Sequence, residues 1–431
     1  MNKSLFLLPL LGMSIAAAAD ATDKPRDWTN NIQDALTVYK SDTTFLRKVK
    51  LSWMEQYQMS VTQPNGSNGH HMKNHGTPFN HEFRRSWIGG TADFASGTQF
   101  HVWGRIGGLP YREAYTYDKN TKTYHTRKQY SYTDLFDIWV KQDIKAVKGL
   151  SVKAGKIKPL FTTDYSTPSS QIMCTERSLV GNQHALDSNW GVEVNYAPTK
   201  QDNVYVQLMA NDRASASKTH TKDRYGDGKG FKGEFGWEDK CFGIIGANHK
   251  FAENEHGYQK LSAQYMHDFD NTYKTGTKSG NNYYGANVKD AISLGYEIKH
   301  DRLLLQTNLV ANFEMRNLDK ADRDYNRNNI GLQVQPVYTL CPHADLVLRY
   351  VGMTGHRACK LGADRYVTTE TTAPTWADSA HTFYAGLDLY ASSVNKNALK
   401  MMMGAEYMTA RRGDKDCYNG WEYTTAFRWN F

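Results

Sequence analysis

The last eleven residues, Trp421-Glu422-Tyr423-Thr424-Thr425-Ala426-Phe427-Arg428-Trp429-Asn430-Phe431, place aromatic side chains at alternate positions with polar ones between them. A step of two is the period of a strand, because successive strand side chains point to opposite faces. The same alternation recurs upstream. Trp190, Val192, Val194 and Tyr196 interleave with Gly191, Glu193 and Asn195, and Phe383, Ala385, Leu387 and Leu389 with Tyr384, Gly386 and Asp388. Leu303, Leu305, Leu309 and Phe313 share one face, opposite Gln306, Asn308, Asn312 and Glu314. Further candidates lie near 46–61, 82–94, 98–108, 131–145, 149–158, 202–211, 241–251, 258–269, 289–300, 328–340, 343–352 and 399–410. Together they predict about sixteen strands, each close to the roughly 9–11 residues that cross a bilayer at a tilt.

The connections strengthen this reading. Long ones fall near 62–81, 109–130, 159–187, 212–240, 270–288, 316–327, 353–380 and 411–419, with tight turns between them, such as Ala95-Ser96-Gly97 and His300-Asp301. Strict alternation of long loops and short turns is what an antiparallel transmembrane β-barrel requires, with long loops outside the cell and short turns in the periplasm.

The first residues support export. Met1-Asn2-Lys3 precedes an apolar run from Leu5 to Ile15 and four alanines, Ala16 to Ala19, which is the pattern of a cleaved signal peptide. The expected organisation is therefore a signal peptide at 1–19, a periplasmic segment at 20–44 and an outer-membrane barrel at 45–431. Aromatic residues make up 13% of the chain, against 11 prolines and 34 glycines, which suits a wet-centred barrel with aromatic girdles better than a large helical core. The formal charge is +8, and losing Lys3 with the leader leaves +7. No Lys/Arg runs accompany it, so nucleic acid is not an expected partner.

Five cysteines, Cys174, Cys241, Cys341, Cys359 and Cys417, follow no metal-ligand spacing. In an exported chain disulfides are the default expectation. Cys359 and Cys417 fall in the last two long connections and are the expected pair, while Cys341 sits at a short turn. His70, His71, His75 and His81 crowd the first loop in a Gly/Asn-rich setting that reads as solvated chain, and Gly226-Asp227-Gly228-Lys229-Gly230 reads as an outer loop.

Strand parity selects side chains for the barrel interior. Phe100, Val102 and Ile106 share the lipid face of their strand, which turns His101, Trp103 and Arg105 toward the lumen. An arginine at mid-depth on the lipid face would cost about 2–4 kcal/mol. The same logic assigns Lys153 and Arg349 to the lumen. In 84–94, Ile88, Gly90, Ala92 and Phe94 form the lipid face, placing Arg85 inside and Arg84 near the outer rim unless a bulge intervenes.

Gly155-Lys156-Ile157-Lys158-Pro159-Leu160-Phe161, followed by Cys174-Thr175-Glu176-Arg177-Ser178-Leu179, resembles the phosphate-selective porins O and P. Phe83-Arg84-Arg85-Ser86-Trp87-Ile88-Gly89-Gly90 is similar to that family's early Arg-Arg strand. The resemblance implies a homotrimer in the outer-membrane lipid, a third loop folded inward to narrow the pore, passage of small anions such as phosphate, and no cofactor. It singles out Lys156, Lys158 and Arg177 as bases around that loop. They either meet the passing ion or stitch the loop to the wall or to Glu176. The rival readings are a general diffusion porin for sugars or peptides, and an adhesin or enzyme anchored by its barrel.

Overall fold

The computed structural model describes residues 26–64, 79–106, 113–118, 123–128, 133–183, 188–210, 241–269, 288–315, 328–360 and 376–431. The signal-peptide region and most of the His-rich and Gly226–Gly230 loops lie outside the described residues.

A short helix α1 (Trp28–Ala35) and strand β1 (Thr37–Lys40) precede the barrel. The wall is then built by β2 (Leu46–Pro64), β3 (Phe79–Phe94) and β4 (Thr98–Ile106). A separate hairpin of β5 (Glu113–Asp118) and β6 (Thr123–Lys128) stands within the second long connection. The wall continues with β7 (Thr133–Asp143), β8 (Leu150–Ile157), β9 (Asn189–Tyr196), β10 (Asp202–Ala210), β11 (Cys241–Asn254), β12 (Gly257–Asp268) and β13 (Val288–His300). It is completed by β14 (Leu303–Met315), β15 (Asn329–Cys341), β16 (Ala344–Lys360), β17 (Trp376–Tyr390), β18 (Leu399–Arg412) and β19 (Lys415–Asn430). Each strand of the wall pairs antiparallel with the next, and β19 pairs with β2, so sixteen strands close into a ring without an edge. Closure satisfies every ladder hydrogen bond internally, which a bilayer demands.

The outward face is apolar. Val192, Val194, Val204, Val206, Leu208, Ile292, Leu294, Leu332, Leu346, Leu348 and Phe427 stand out from the wall, each 38–50% exposed. Full exposure of such a side chain forgoes roughly 1.5–3 kcal/mol, so these partly exposed ones forgo about 0.6–1.5 kcal/mol apiece. For a belt of this size the total is comparable with the whole stability of a typical domain, about 5–15 kcal/mol. The belt therefore faces lipid.

Three details go beyond the pattern read along the sequence, and the last two correct it. The segment before the barrel is folded: Asp27 caps α1, accepting from Thr29 N at 2.9 Å while its own N–H donates to Asn30 Oδ1 at 2.8 Å. Trp28 packs edge-on against Phe431, whose backbone exchanges hydrogen bonds of 2.9 and 3.0 Å with Trp53, so the chain end and α1 close the same corner of the barrel. The last connection is a tight turn at Gly413-Asp414, with Gly413 at φ +57, because β18 and β19 run on through the expected loop. Cys417 consequently lies in β19, where it shares a buried apolar cluster with Cys359, and no disulfide joins any of the five cysteines, where a Cys359–Cys417 bridge was expected.

Candidate functional site

The third connection, described over 158–183, folds into the barrel. Two short helices, α2 (Thr163–Ser166) and α3 (Leu179–Gln183), shape it. Wall glycines admit them: a Cβ on Gly295 of β13 would sit 2.6 Å from Thr163 Cγ2, and one on Gly331 of β15 would sit 2.8 Å from Val180 Cγ2. Thr162, fully buried between strand and helix, holds φ +63, a conformation costly for a branched residue.

The loop's first residues grip β10. Gln207 Oε1 accepts from Leu160 N at 2.8 Å, Gln207 Nε2 donates to Lys158 O at 3.1 Å, and the Tyr205 hydroxyl donates to Leu160 O at 2.7 Å. Phe161, Leu179 and Val180 then bury against inward apolar residues of the wall, Met209, Phe242, Ile244, Met266, Val310 and Met353.

The far side of the loop meets charge. Arg84 Nε donates to Glu176 Oε1 at 2.6 Å and Arg85 Nη2 to Glu176 Oε2 at 3.2 Å. Two adjacent residues of a regular strand cannot both point inward. A bulge resolves it: Gln56 stands opposite Arg85 and Tyr57 opposite Phe83, leaving Arg84 as the extra residue. Arg84 is therefore not a rim residue, contrary to the expectation for an unbroken strand.

Loop carbonyls are capped by buried cations. Lys400 Nζ donates to Ile172 O at 2.8 Å, Arg428 Nη1 to the same oxygen at 3.1 Å, and Arg349 Nη1 to Glu176 O at 2.9 Å. Arg349 also pairs with Glu406 at 3.1 Å. Gln56 relays between them, its Oε1 accepting from Arg85 and Arg428 while its Nε2 donates to Thr175 O. Backbone groups brought inside a barrel must find partners, and charged donors serve that need best.

The Glu-Arg-Ser triplet divides its tasks. Glu176 binds the wall; Arg177 turns back into the loop, donating to Asp164 O, to Thr167 O at 2.7 Å and to Ser169 Oγ at 3.2 Å. Ser178 donates from N and Oγ to Asp164 Oδ2 at 2.9 and 2.8 Å, tying the two helices together. Lys158 lies over the Tyr165 ring at 4.6 Å and donates to Thr167 O at 3.4 Å. Burial, with Arg177 beside it, brings the Lys158 amine down to about 7, and burial pushes the Cys174 thiol up to about 12.

The remaining candidates separate. Arg105 stands opposite Trp87 in β3, on the same face as His101 and Trp103, and is lumenal as parity predicts. Lys153 is lumenal too, bound to Glu193 at 2.8 Å above Trp139. Lys156 is not. It stands opposite Ile138 and Trp190, in line with Ala154, Val140 and Val192, which is the outward face. The alternation of β9 contained this answer, since Trp190 shares the face of Val192 and Val194. Arg85, Arg177 and Arg349 are brought together around the loop, and Arg105, Lys153 and Lys156 are not part of that set.

Sequence reasoning passed over Lys400, Gln56 and Glu406. Lys400-Met401-Met402-Met403 offers no polar alternation; Gln56 does sit in one, with Gln58, Ser60 and Thr62 opposite Tyr57, Met59 and Val61, but parity turns it inward without marking an uncharged amide as part of a site.

The sequence model of the family described as phosphate-selective porin O and P matches residues 53–343. No curated protein sequence matches the chain. Among solved structures, the fold is similar to OprB of Pseudomonas putida, with a TM-score of 0.55 at 14% identity over 89% of this chain and 94% of that one. It is similar also to the outer membrane channel DcaP of Acinetobacter baumannii, with a TM-score of 0.52 at 11% identity over 92% and 100% of the two chains. An anion-selective porin from Comamonas acidovorans gives a TM-score of 0.51 at 10% identity over 89% and 99%.

Proposed function

Because the chain belongs to the phosphate-selective porin O and P family, and is thus an outer-membrane channel, we propose that it passes small anions, phosphate among them, through the lumen narrowed by its third loop. The observation that carries this reading is the charge around the loop. Arg84, Arg85, Arg177, Arg349, Lys400 and Arg428 gather there, interleaved with Glu176, Asp345, Asp388, Glu406 and Glu422. An ion entering a narrow, partly dehydrated passage loses hydration, and fixed charge of opposite sign offsets that loss. Carriage is passive, without a catalytic step or a cofactor, and the working unit in the membrane is a homotrimer, which crosslinking of the refolded protein tests.

Arg105 and Lys153 extend the positive character along the lumen, while Lys156 stands outside it. In a planar bilayer under a salt gradient, Arg105→Glu should shift the reversal potential toward cations, and Lys156→Glu should leave it where it is. A reversal potential indifferent to Arg105→Glu removes the anion reading.

A further inference from the structure

Between the third loop and the wall of β10–β15 lies a cavity of about 530 Å3, within the usual range of small-molecule sites. Its wall has an order that the charged side lacks. In register, Asn203 stands opposite Asn248, Asn248 opposite Ser262, Ser262 opposite Gly295, Gly295 opposite Asn308, and Asn308 opposite Gln333. One rung thus crosses six adjacent strands, bearing amides and a hydroxyl and no charge, and all six residues line the cavity.

The rung is not satisfied within the protein. The side-chain oxygens of Asn203, Asn308 and Gln333, and that of Gln264 in the next rung, are buried and have no hydrogen-bond partner, although Asn308 Nδ2 donates to Ser293 Oγ at 2.9 Å. Native proteins leave few buried polar atoms unpaired, so four of them along one cavity mark hydrogen-bonding capacity kept for something else. All four are acceptors. A fully ionised anion brings only acceptors and meets them with repulsion. An ammonium group brings donors, but the carboxylates that line the same cavity are already bound, Asp345 to Lys396, Glu176 to Arg84 and Arg85, Glu297 to Tyr258 and Gln306 and Asp164 to Ser178, and Arg349, Lys396 and Lys400 lie beside them. Those cations are themselves engaged: Lys396 with Asp345 at 2.9 Å, Arg349 with Glu406, and Lys400 with Ile172 O.

From this we infer that the cavity is a subsite for an uncharged, hydroxyl-rich solute of the sugar or polyol class, lying beside the anion path. Each hydroxyl donates to a carboxamide oxygen and accepts from a carboxamide N–H, and a side-chain rotation turns the buried oxygens toward it. The spacing of adjacent strands, about 4.8 Å, repeats such a pair from strand to strand.

The test uses the full chain refolded into planar bilayers, with maltose as the probe. Maltose should reduce the KCl current saturably, and the double variant Asn308→Leu/Gln333→Leu should raise the half-blocking concentration roughly tenfold, the loss of one or two hydrogen bonds. Unchanged KCl conductance in the variant shows an intact pore; if it does not insert, Asn308→Ala is read the same way. A decrease linear in maltose, as viscosity alone produces, means that only water fills the cavity, and the inference fails. It fails equally if the variants block like the unmodified chain, or if inorganic phosphate blocks saturably and maltose does not. The Arg105→Glu variant keeps this test separate from the anion reading, because it should move the reversal potential and leave maltose block unaltered.

Discussion

Across β2, β3 and β16–β19 the inward loop is held by ions: Arg84 and Arg85 on Glu176, and Arg349, Lys400 and Arg428 on loop carbonyls. Across β10–β15 the same loop is held without charge, by Gln207 and Tyr205, by apolar burial and by the close approach that Gly295 and Gly331 allow. The difference follows from what the loop presents to each side. Toward the charged half it offers a carboxylate and a run of carbonyls at Ile172, Thr175 and Glu176, which need strong donors where little water reaches. Toward the neutral half it offers Phe161, Leu179 and Val180, which need only shape. Charge thus fixes the loop's position on one side and leaves the other free to hold a cavity.

Breaking the charged half should have the larger effect. Glu176→Ala removes the carboxylate that two guanidiniums bind, and truncating one partner of a buried pair typically costs roughly 3–5 kcal/mol. Because Arg84 keeps some contact with solvent, the lower end is expected. Denaturant unfolding should show the loss, and single-channel conductance should rise as the loop loosens. Conductance and stability equal to the unmodified chain would mean that the apolar half alone seats the loop.

On the neutral half, Gly331→Val drives a side chain into Val180 and should cost about 1–3 kcal/mol by overpacking. Since the ion pairs survive, reversal potential should hold while the loop's protection from proteolysis declines around α3. A shifted reversal potential would show that the two halves do not act separately.

The sequence displayed the barrel far better than the site. Alternation at Val192-Val194-Tyr196 or Leu303-Leu305-Leu309 is legible because lipid and lumen impose opposite polarity on neighbouring positions. It fails where that contrast fades: in the methionine run at 401–403, at the Arg84 bulge, and at Gly413, where nothing in the composition separates a tight turn from a long loop. The partners of Glu176 come from strands more than 90 residues away, as the 92-residue separation of Arg84 and Glu176 illustrates, and no local pattern carries that information. The amide rung was visible only in fragments, as Asn308 alone, because it exists across strands and not along one.

The anchoring of the charged half extends to the corner where α1 meets the chain end, and its smallest effect is expected there. Asp27 caps α1 and also accepts from Ser392 Oγ in the turn between β17 and β18, fastening the helix beneath the strands that hold Asp388 and Lys400. The hydrogen bond from Ser392, followed by that from Thr29, holds the Asp27 carboxyl below its ordinary value. A carboxyl whose folded value is depressed contributes stability above its unfolded value, about 3.9, and loses it as pH falls through the folded one. Amide exchange across 28–35 should therefore be slow at neutral pH and quicken below roughly pH 4, with the barrel itself unmoved. Asp27→Asn separates docking from capping, because asparagine caps a helix about as well as aspartate but carries no carboxylate for Ser392 to bind. The variant should retain helical signal, exchange faster at neutral pH and lose the acid-dependent step. If that step persists in Asp27→Asn, the acid sensitivity belongs to another group, and the corner is held by the Trp28–Phe431 contact and the pairing of β1 with β2 instead.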